Sequence, residues 1–430
     1  MENRQIDKIS IWQNRAYLIL FSSYTISTFG KFFDMLAVML MFSYVWQAEP
    51  WLISLIPVVY AIPHALFSQA AGVFIDKGKK VKIILLADLL SAIFTIILVF
   101  TTSPWWMLAV IFIRSTFTVV HFPAQQALVK QIVHPDLIMK AVTLNGTVNQ
   151  LSKIIGPFLG ATIAAAFSPR ISFIVYAVLL LLSIGVLFFL RSIDMESQKS
   201  SQEDKQDEQE SFWESFRNAW RLMFQSKLLV VSTAFTLLAF LAIQLVDAQF
   251  AVLTRELFPN NPAVFGWLVS MVGLGALMIL LYLNRLRAIK RYGLFLGSSV
   301  FLIGIGLLVM GVLQLYTETW MLLAAAFVIG IGAGIFSVVF SYILQVESPE
   351  GKIGQMSGMY NSLTGFVLVL APIAGGFLVQ MFGVFRIFQV IGAVTLVIGI
   401  SGLLFQRVLW KRSSVEKNKC EPENKERQTV

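Results

Sequence analysis

The chain has 430 residues, of which 57% are hydrophobic and 13% charged, and its formal net charge is +9. A soluble protein carries roughly 25% charged residues, so this composition indicates a polytopic membrane protein and excludes a soluble enzyme. The positive charge predicts basic cytoplasmic loops and gives no reason to expect nucleic-acid binding. The single cysteine, Cys420, excludes an intrachain disulfide.

Twelve apolar runs are long enough to cross the roughly 30 Å hydrocarbon core of a bilayer as helices. They are about Ala16–Trp46, Trp51–Phe74, Val81–Phe100, Trp105–Val129, Lys140–Phe167, Ile171–Leu190, Leu228–Leu253, Phe265–Leu283, Tyr292–Leu315, Trp320–Leu344, Ile353–Phe382 and Val384–Phe405. The first run is too long for the core of a signal peptide, and we interpret it as the first span.

The basic residues set the orientation of these spans. In this layout 27 of the 33 Lys and Arg residues fall in segments on the cytoplasmic side, and three, Arg170, Arg255 and Arg386, fall in outer connections. Lys and Arg near span ends resist translocation. Both termini are therefore predicted to be cytoplasmic.

A polar break divides the chain into two halves. The predicted organisation is an N-terminal six-helix bundle (1–191), a cytoplasmic linker (192–226), a C-terminal six-helix bundle (227–410) and a cytoplasmic tail (411–430). Within the linker, aromatic residues recur at helical spacing: Trp213, Phe216, Trp220 and Phe224. This spacing predicts an amphipathic helix in the membrane interface. A regulatory protein-binding segment is the alternative.

The two halves resemble weak repeats of each other. An offset of 215 residues carries Pro157 onto Pro372 and Asp34 to within two residues of Asp247. Paired bundles with helix-breaking residues at matching positions are typical of transporters whose site lies between the halves.

Charged residues inside spans usually face a cavity or a partner, because a charge at the helix centre costs about 2.5–3.5 kcal/mol. Lys31 and Asp34 are three residues apart, so they can pair on one helix face. Asp247 has no basic residue three or four positions away. Burial without a local cation favours its neutral form, so Asp247 is the better predicted proton carrier, unless Arg114 or Lys153 meets it.

Arg114 and His121 lie seven residues apart in the fourth span. Arg114 would hold a carboxylate or an anionic ligand, and His121 would either relay protons or bond to the backbone. The proton-coupling candidates are thus Asp247, Asp34 and His121. The candidates for the substrate cavity are Lys31, Arg114, Lys153 and Gln244.

No enzyme site is evident. The sequence lacks a phosphate-binding Gly-Lys-Ser/Thr loop and a Cys/His metal cluster, so we expect no enzymatic activity, cofactor or metal. Because this chain alone cannot use ATP, its energy must come from an ion or substrate gradient.

The segment Gly72-Val-Phe-Ile-Asp76-Lys77-Gly78-Lys79-Lys80 resembles the signature between helices 2 and 3 of the major facilitator superfamily, Gly-x-x-x-Asp-Arg-x-Gly-Arg-Lys. Lysines replace the arginines at 77 and 80, and the second glycine comes one position early. The resemblance implies that Gly72, Asp76, Lys77 and Lys80 form a latch for the outward-facing state.

Two further segments resemble the macrolide-efflux type of drug transporters within that family. They are Arg114–Gln126, and Asn145-Gly146 through Gly156-Pro157-Phe-Leu-Gly160. The second is similar to the antiporter motif of helix 5, carried here by Gly156, Pro157 and Gly160. This resemblance implies export by exchange.

We therefore expect an all-α membrane protein with the major facilitator fold: 12 transmembrane helices in two pseudo-symmetric six-helix bundles. The predicted function is proton-coupled efflux of lipophilic small molecules from a bacterial cell membrane. The expected partners of this monomer are the substrate, protons and the lipid bilayer. One alternative is a proton symporter that imports an organic anion or metabolite through Lys31, Arg114 and Lys153. The other is a non-transporting scaffold or sensor.

Overall fold

The computed structural model describes residues 11–190, 220–221, 223–224, 226–286, 289, 291–313, 318–348 and 353–410, with the backbone alone at 69–70, 72–73, 76–77 and 353–355. These residues form helices and short connections, and no strand occurs among them. The predicted linker and its interfacial helix lie almost wholly outside the described residues, and the predicted tail lies entirely outside them.

Seven helices follow a short 3₁₀ turn at Ile11–Gln13 within the described residues 11–190. They are α1 (Arg15–Leu40, continued by a π turn at Met41–Val45), α2 (Pro50–Lys77), α3 (Lys80–Val99), α4 (Pro104–Thr118), α5 (His121–Ile132), α6 (Ile138–Ala166) and α7 (Pro169–Phe188). Several begin with proline, whose missing N–H costs nothing in the first helical turn.

Eight helices are given bounds in the described part of the second half. They are α8 (Lys227–Val246), α9 (Phe250–Leu257), α10 (Ala263–Leu283), α11 (Tyr292–Val312), α12 (Thr319–Glu347), α13 (Ile353–Phe382), α14 (Val384–Leu404) and the short α15 (Gln406–Leu409). The predicted seventh span is therefore not one helix, because α8 ends at Val246 and a turn at 247–249 separates it from α9.

Eleven helical segments of the described chain are long and apolar enough to cross a membrane, and α4 and α5 together count as one of them. The predicted fifth span, α6, is a 29-residue helix but is not among the eleven. Its central turns are polar, with Asn145, Asn149, Gln150 and Lys153. An all-helical fold with eleven apolar spans is thus confirmed, whereas the twelfth span stays a prediction.

The chain folds into two compact units. The first comprises Met1–Lys205, Asp247–Gly273 and Pro372–Met381. Within it α1 packs against α6 and α7, and α3 packs against α4 and α7. The segment after Asp247 is tied to the end of α1, since Ser43 Oγ donates to the Ala251 carbonyl at 2.6 Å.

The second unit comprises Gln206–Val246, Leu274–Ala371 and Phe382–Val430. Its most extensive helix packing joins α11 to α14. Five glycines let these helices approach closely, because a Cβ on any of them would meet backbone of the opposite helix: Gly297, Gly304, Gly311, Gly392 and Gly399. Small residues at a helix interface serve this purpose in membranes. The predicted boundary between the two halves, 192–226, stays a prediction.

Candidate functional site

A buried ion pair joins α1 to α4 in the first unit. The guanidinium of Arg114 donates from Nη1 to Asp34 Oδ1 at 2.7 Å and from Nη2 to Asp34 Oδ2 at 2.5 Å. The side chains of Arg114 and Asp34 are only 4% and 2% exposed. Two parallel hydrogen bonds of this kind are the strongest form of arginine–carboxylate pairing.

Side chains from three neighbouring helices also contact this ion pair. The Tyr60 hydroxyl of α2 accepts from Arg114 Nη2 at 2.9 Å and donates to Asp34 Oδ2 at 3.0 Å. Thr95 Oγ1 of α3 accepts from Arg114 Nη1 at 3.0 Å. The Tyr176 ring of α7 lies 5.8 Å from the guanidinium carbon, within cation–π range. Five helices thus meet at one satisfied charge pair.

A second polar network joins α1, α3, α5 and α7. His121 Nε2 is 2.9 Å from Asp88 Oδ1, and the Asp88 side chain is 3% exposed. Ser183 Oγ of α7 lies 3.3 Å from Asp88 Oδ2 and 2.8 Å from the hydroxyl of Ser23 on α1. The predicted alternative of a backbone-bonded His121 is therefore wrong, since its partner is a carboxylate.

The two networks are separated by the same number of residues on α3 and on the span formed by α4 and α5. Asp88 and Thr95 are seven residues apart on α3, and Arg114 and His121 are seven residues apart across α4 and α5. Seven residues are about two turns, so Asp88 and Thr95 point to one side of α3, and Arg114 and His121 point to one side of the span that α4 and α5 form together. Because α3 and α4 are consecutive antiparallel neighbours, Thr95 meets Arg114 and Asp88 meets His121. The networks lie about 10 Å apart along the helices.

Asp88 is the functional candidate that sequence reasoning missed. It is the one acidic residue in the apolar run Ile83–Phe100, and the cost of a carboxylate inside a span was a sufficient signal. Tyr60, Thr95 and Ser183 carry no comparable signal, because uncharged hydroxyl side chains are tolerated in apolar helices without a partner.

The predicted pairing of Lys31 with Asp34 is wrong. Asp34 binds Arg114, and Lys31 is exposed without a hydrogen bond or ion pair to any described residue. The physical reason is geometric, because a guanidinium from a facing helix binds both carboxylate oxygens whereas an ammonium is a point charge. Lys153 on α6 is likewise exposed and unpaired among the described residues.

The two candidates from the predicted seventh span differ in setting. Gln244 is buried in α8, whereas Asp247 lies in the turn between α8 and α9. The Asp247 side chain is exposed to solvent. It has no hydrogen bond or ion pair within the described chain, and Arg114 cannot serve it because Asp34 already holds that guanidinium.

The helix-5 motif is a close contact between α6 and α1. Gly156 and Gly160 lie inside α6 on either side of Pro157, and both face α1. A Cβ on Gly156 would lie 2.5 Å from Phe32 Cβ, and one on Gly160 would lie 3.2 Å from Phe33 Cδ1. These glycines therefore set the distance between the two helices.

Gly156→Ala should lower the melting temperature of the detergent-purified protein, because the new methyl group must push α1 away, at a cost of about 1–3 kcal/mol. Gly146→Ala is the matched control on the same helix, since a Cβ there meets nothing within 4 Å. It should stabilise α6 by about 0.5–1 kcal/mol. Equal effects of the two substitutions would contradict a packing role for Gly156.

The predicted latch lies at the end of a helix. Gly72, Asp76 and Lys77 belong to α2, and Lys80 begins α3, so the expected loop shortens to Gly78 and Lys79. A helix can continue past the membrane surface because water tolerates its polar residues. The side chains of Asp76 and Lys77 are outside the described part of the structure.

Comparison with known proteins agrees with this architecture. The model of the Major Facilitator Superfamily matches residues 20–254 and 248–428. The MFS-type transporter YfiS of Bacillus subtilis is 25% identical over 404 residues, which cover 93% of this chain and 95% of the relative. Macrolide efflux protein A of Streptococcus pyogenes is 20% identical over 344 residues, which cover 79% and 83%.

A solved structure shows the same fold at low sequence identity. A POT family transporter in complex with 5-aminolevulinic acid superposes with a TM-score of 0.70 and 15% identity, covering 93% of this chain and 97% of that chain. The family model spans nearly the whole sequence. The chain therefore belongs to the major facilitator superfamily, whose members are membrane transporters and not enzymes.

Proposed function

We propose that this transporter exports small molecules from a bacterial cytoplasmic membrane in exchange for protons, by alternating access. Relatives named macrolide efflux proteins support export, and they occur in bacteria. Exchange requires a group that is charged when it faces one side and neutral when it faces the other. The proposal rests on the difference between two carboxyl groups: Asp34 is paired with Arg114, whereas Asp247 is unpaired among the described residues.

Asp34 is unsuited to carry the proton. Arg114 holds both of its carboxylate oxygens, and Tyr60 donates to one of them. Protonation of Asp34 would leave a buried guanidinium without a counterion, which is costly. Its role in the proposal is to fix α1 against α4.

Asp247 meets the requirement for a proton carrier. Its carboxyl group is accessible and unpaired among the described residues, and it lies where the helix is interrupted. Loss or gain of a proton there breaks no ion pair. His121 is the second candidate, because its bond to the buried Asp88 makes one titratable unit of the two side chains. Protonation would turn that unit from an anion into a neutral pair.

The remaining sequence predictions keep their place in the proposal. Asp76, with Gly72, Lys77 and Lys80, latches the outward-facing state, and Gly156, Pro157 and Gly160 serve as the antiporter motif. Lys31, Lys153 and Gln244 stay in the substrate cavity. Arg114 leaves the cavity, since Asp34 binds its guanidinium.

The proposal includes twelve spans and cytoplasmic termini. Helix α6 is about 43 Å long at 1.5 Å per residue, which exceeds the bilayer core of about 30 Å. Its backbone meets α1 at Gly156 and α10 at Gly266, a residue of the same compact unit. Protein contacts on these faces reduce the exposure of its polar residues to lipid.

Reporter fusions test this topology. Fusions after His134 and Ser168 bracket α6 and should report the cytoplasm and the outside, respectively. Fusions after Asn260 and Arg291 should report the outside and the cytoplasm, because most Lys and Arg residues then lie inside. The same side at His134 and Ser168 would show that α6 does not cross the membrane.

Substrate accumulation tests the function. Cells that express the protein should accumulate less of an exported drug than cells without it, and a protonophore should remove the difference. A macrolide, the compound class in the names of two relatives, and an acidic drug are the first compounds to measure. Higher accumulation would indicate the symporter, and equal accumulation across a broad drug panel would indicate the scaffold or sensor.

A further inference from the structure

Two lysines from different helices occupy the same depth in the first unit. Lys31 lies in the middle of the span Arg15–Val45, and Lys153 lies in the middle of Ile138–Ala166. The close contact of Phe32 with Gly156 sets the register between these helices. Since Lys31 precedes Phe32 directly and Lys153 precedes Gly156 by three residues, the lysines lie within about one helical turn of each other along the axis.

No carboxylate neutralises this pair of lysines within the described chain. Arg114, Asp34, Lys153 and His121 lie near Lys31, and Asp34, the carboxylate among them, is already held by Arg114. Lys153 forms no ion pair with any described residue. His64, exposed on α2, also lies near Lys31 and adds no negative charge.

We infer that Lys31 and Lys153 form one anion-binding site, and that the transported molecule carries an acidic group such as a carboxylate. This inference rests on the proposed function, because it assigns the substrate class. Charged side chains in the middle of a span face a cavity or a partner, and these two have no partner in the described chain. Two like charges at one depth repel each other, and an anion between them relieves that repulsion.

A soluble organic anion fits this position better than a lipid headgroup. Lys31 and Lys153 each lie about 20 Å along the helix from either end of their segments. Headgroups occupy the interface, outside the hydrocarbon core of about 30 Å. A molecule that reaches mid-span must enter through the transport pathway. A cationic substrate would meet two positive charges there.

Binding of matched probes tests this site without any gradient. Full-length protein in detergent is titrated with fluorescent aromatic carboxylates and with their uncharged methyl esters. We expect the wild-type protein to bind the acids at least tenfold more tightly than the esters. Lys31→Met and Lys153→Met should each remove this preference, whereas Lys31→Arg should keep it. Addition of phosphatidylglycerol should leave it unchanged.

Lys140→Met is the matched control, because Lys140 is an exposed lysine on the same helix, about 20 Å from Lys153. It should bind like the wild type. Equal affinity for acids and esters, or no binding of either, overturns the inference. The inference is also overturned if the preference for acids over esters survives both methionine substitutions, or if phosphatidylglycerol abolishes that preference. The export test is separate from this binding test. A protein that binds acids but exports nothing refutes only the proposed function.

Discussion

Arg114→Met should lower the free energy of unfolding by about 3–5 kcal/mol, because it leaves the carboxylate of Asp34 buried without its counterion. In the native protein that carboxylate receives two hydrogen bonds from the guanidinium and is almost inaccessible to water. Asp34→Asn should destabilise the protein for the reciprocal reason. Melting temperature in detergent and yield of folded protein measure both effects.

The double variant separates the charge pair from simple loss of packing. With Asp34→Asn and Arg114→Met together, no uncompensated charge remains, so we expect the double variant to be more stable than Arg114→Met alone. Arg386→Met is the surface control, since Arg386 is exposed at the start of α14, and it should change stability by no more than about 0.5 kcal/mol. Strict additivity of the two single effects would show that the pair is not coupled.

Asp247→Asn should abolish gradient-driven export and leave substrate binding intact. An amide has the shape of a protonated carboxyl group but cannot release a proton. The exchange cycle therefore stops at the step that requires proton release. Passive exchange of substrate across the membrane should continue. The measurement is drug export from proteoliposomes under an imposed pH gradient, with substrate counterflow as the test of passive exchange.

Glu256→Gln provides the matched control for Asp247→Asn. Glu256 is a half-exposed carboxylate nine residues further along, and it forms an ion pair with the adjacent Arg255 at 3.6 Å. Its replacement should leave export unchanged. Full gradient-driven export by Asp247→Asn would contradict the assignment and move the proton site to His121 and Asp88. His121→Gln would then be the variant that loses coupling.

Local properties of the sequence determined the class of this protein and most of its helices. Insertion of an apolar run depends on the run itself, so eleven of the twelve predicted spans are found as apolar helices. The same reasoning recognised that Asp34, Arg114 and Lys153 stand inside apolar surroundings. It was less reliable for α6, because polar residues lower the hydropathy of this helix. Packing against α1 and α10 covers part of its surface, and the sequence of the helix alone does not contain those contacts.

Only the tertiary structure decided which charges meet. Asp34 has a lysine three residues away, yet it binds Arg114, 80 residues further along the chain. Asp88 and His121 likewise meet through the antiparallel packing of α3 with α4 and α5. Side-chain partners depend on the register between helices, which small residues such as Gly156 set by close contact. That register is a property of pairs of helices, and no single run of residues contains it.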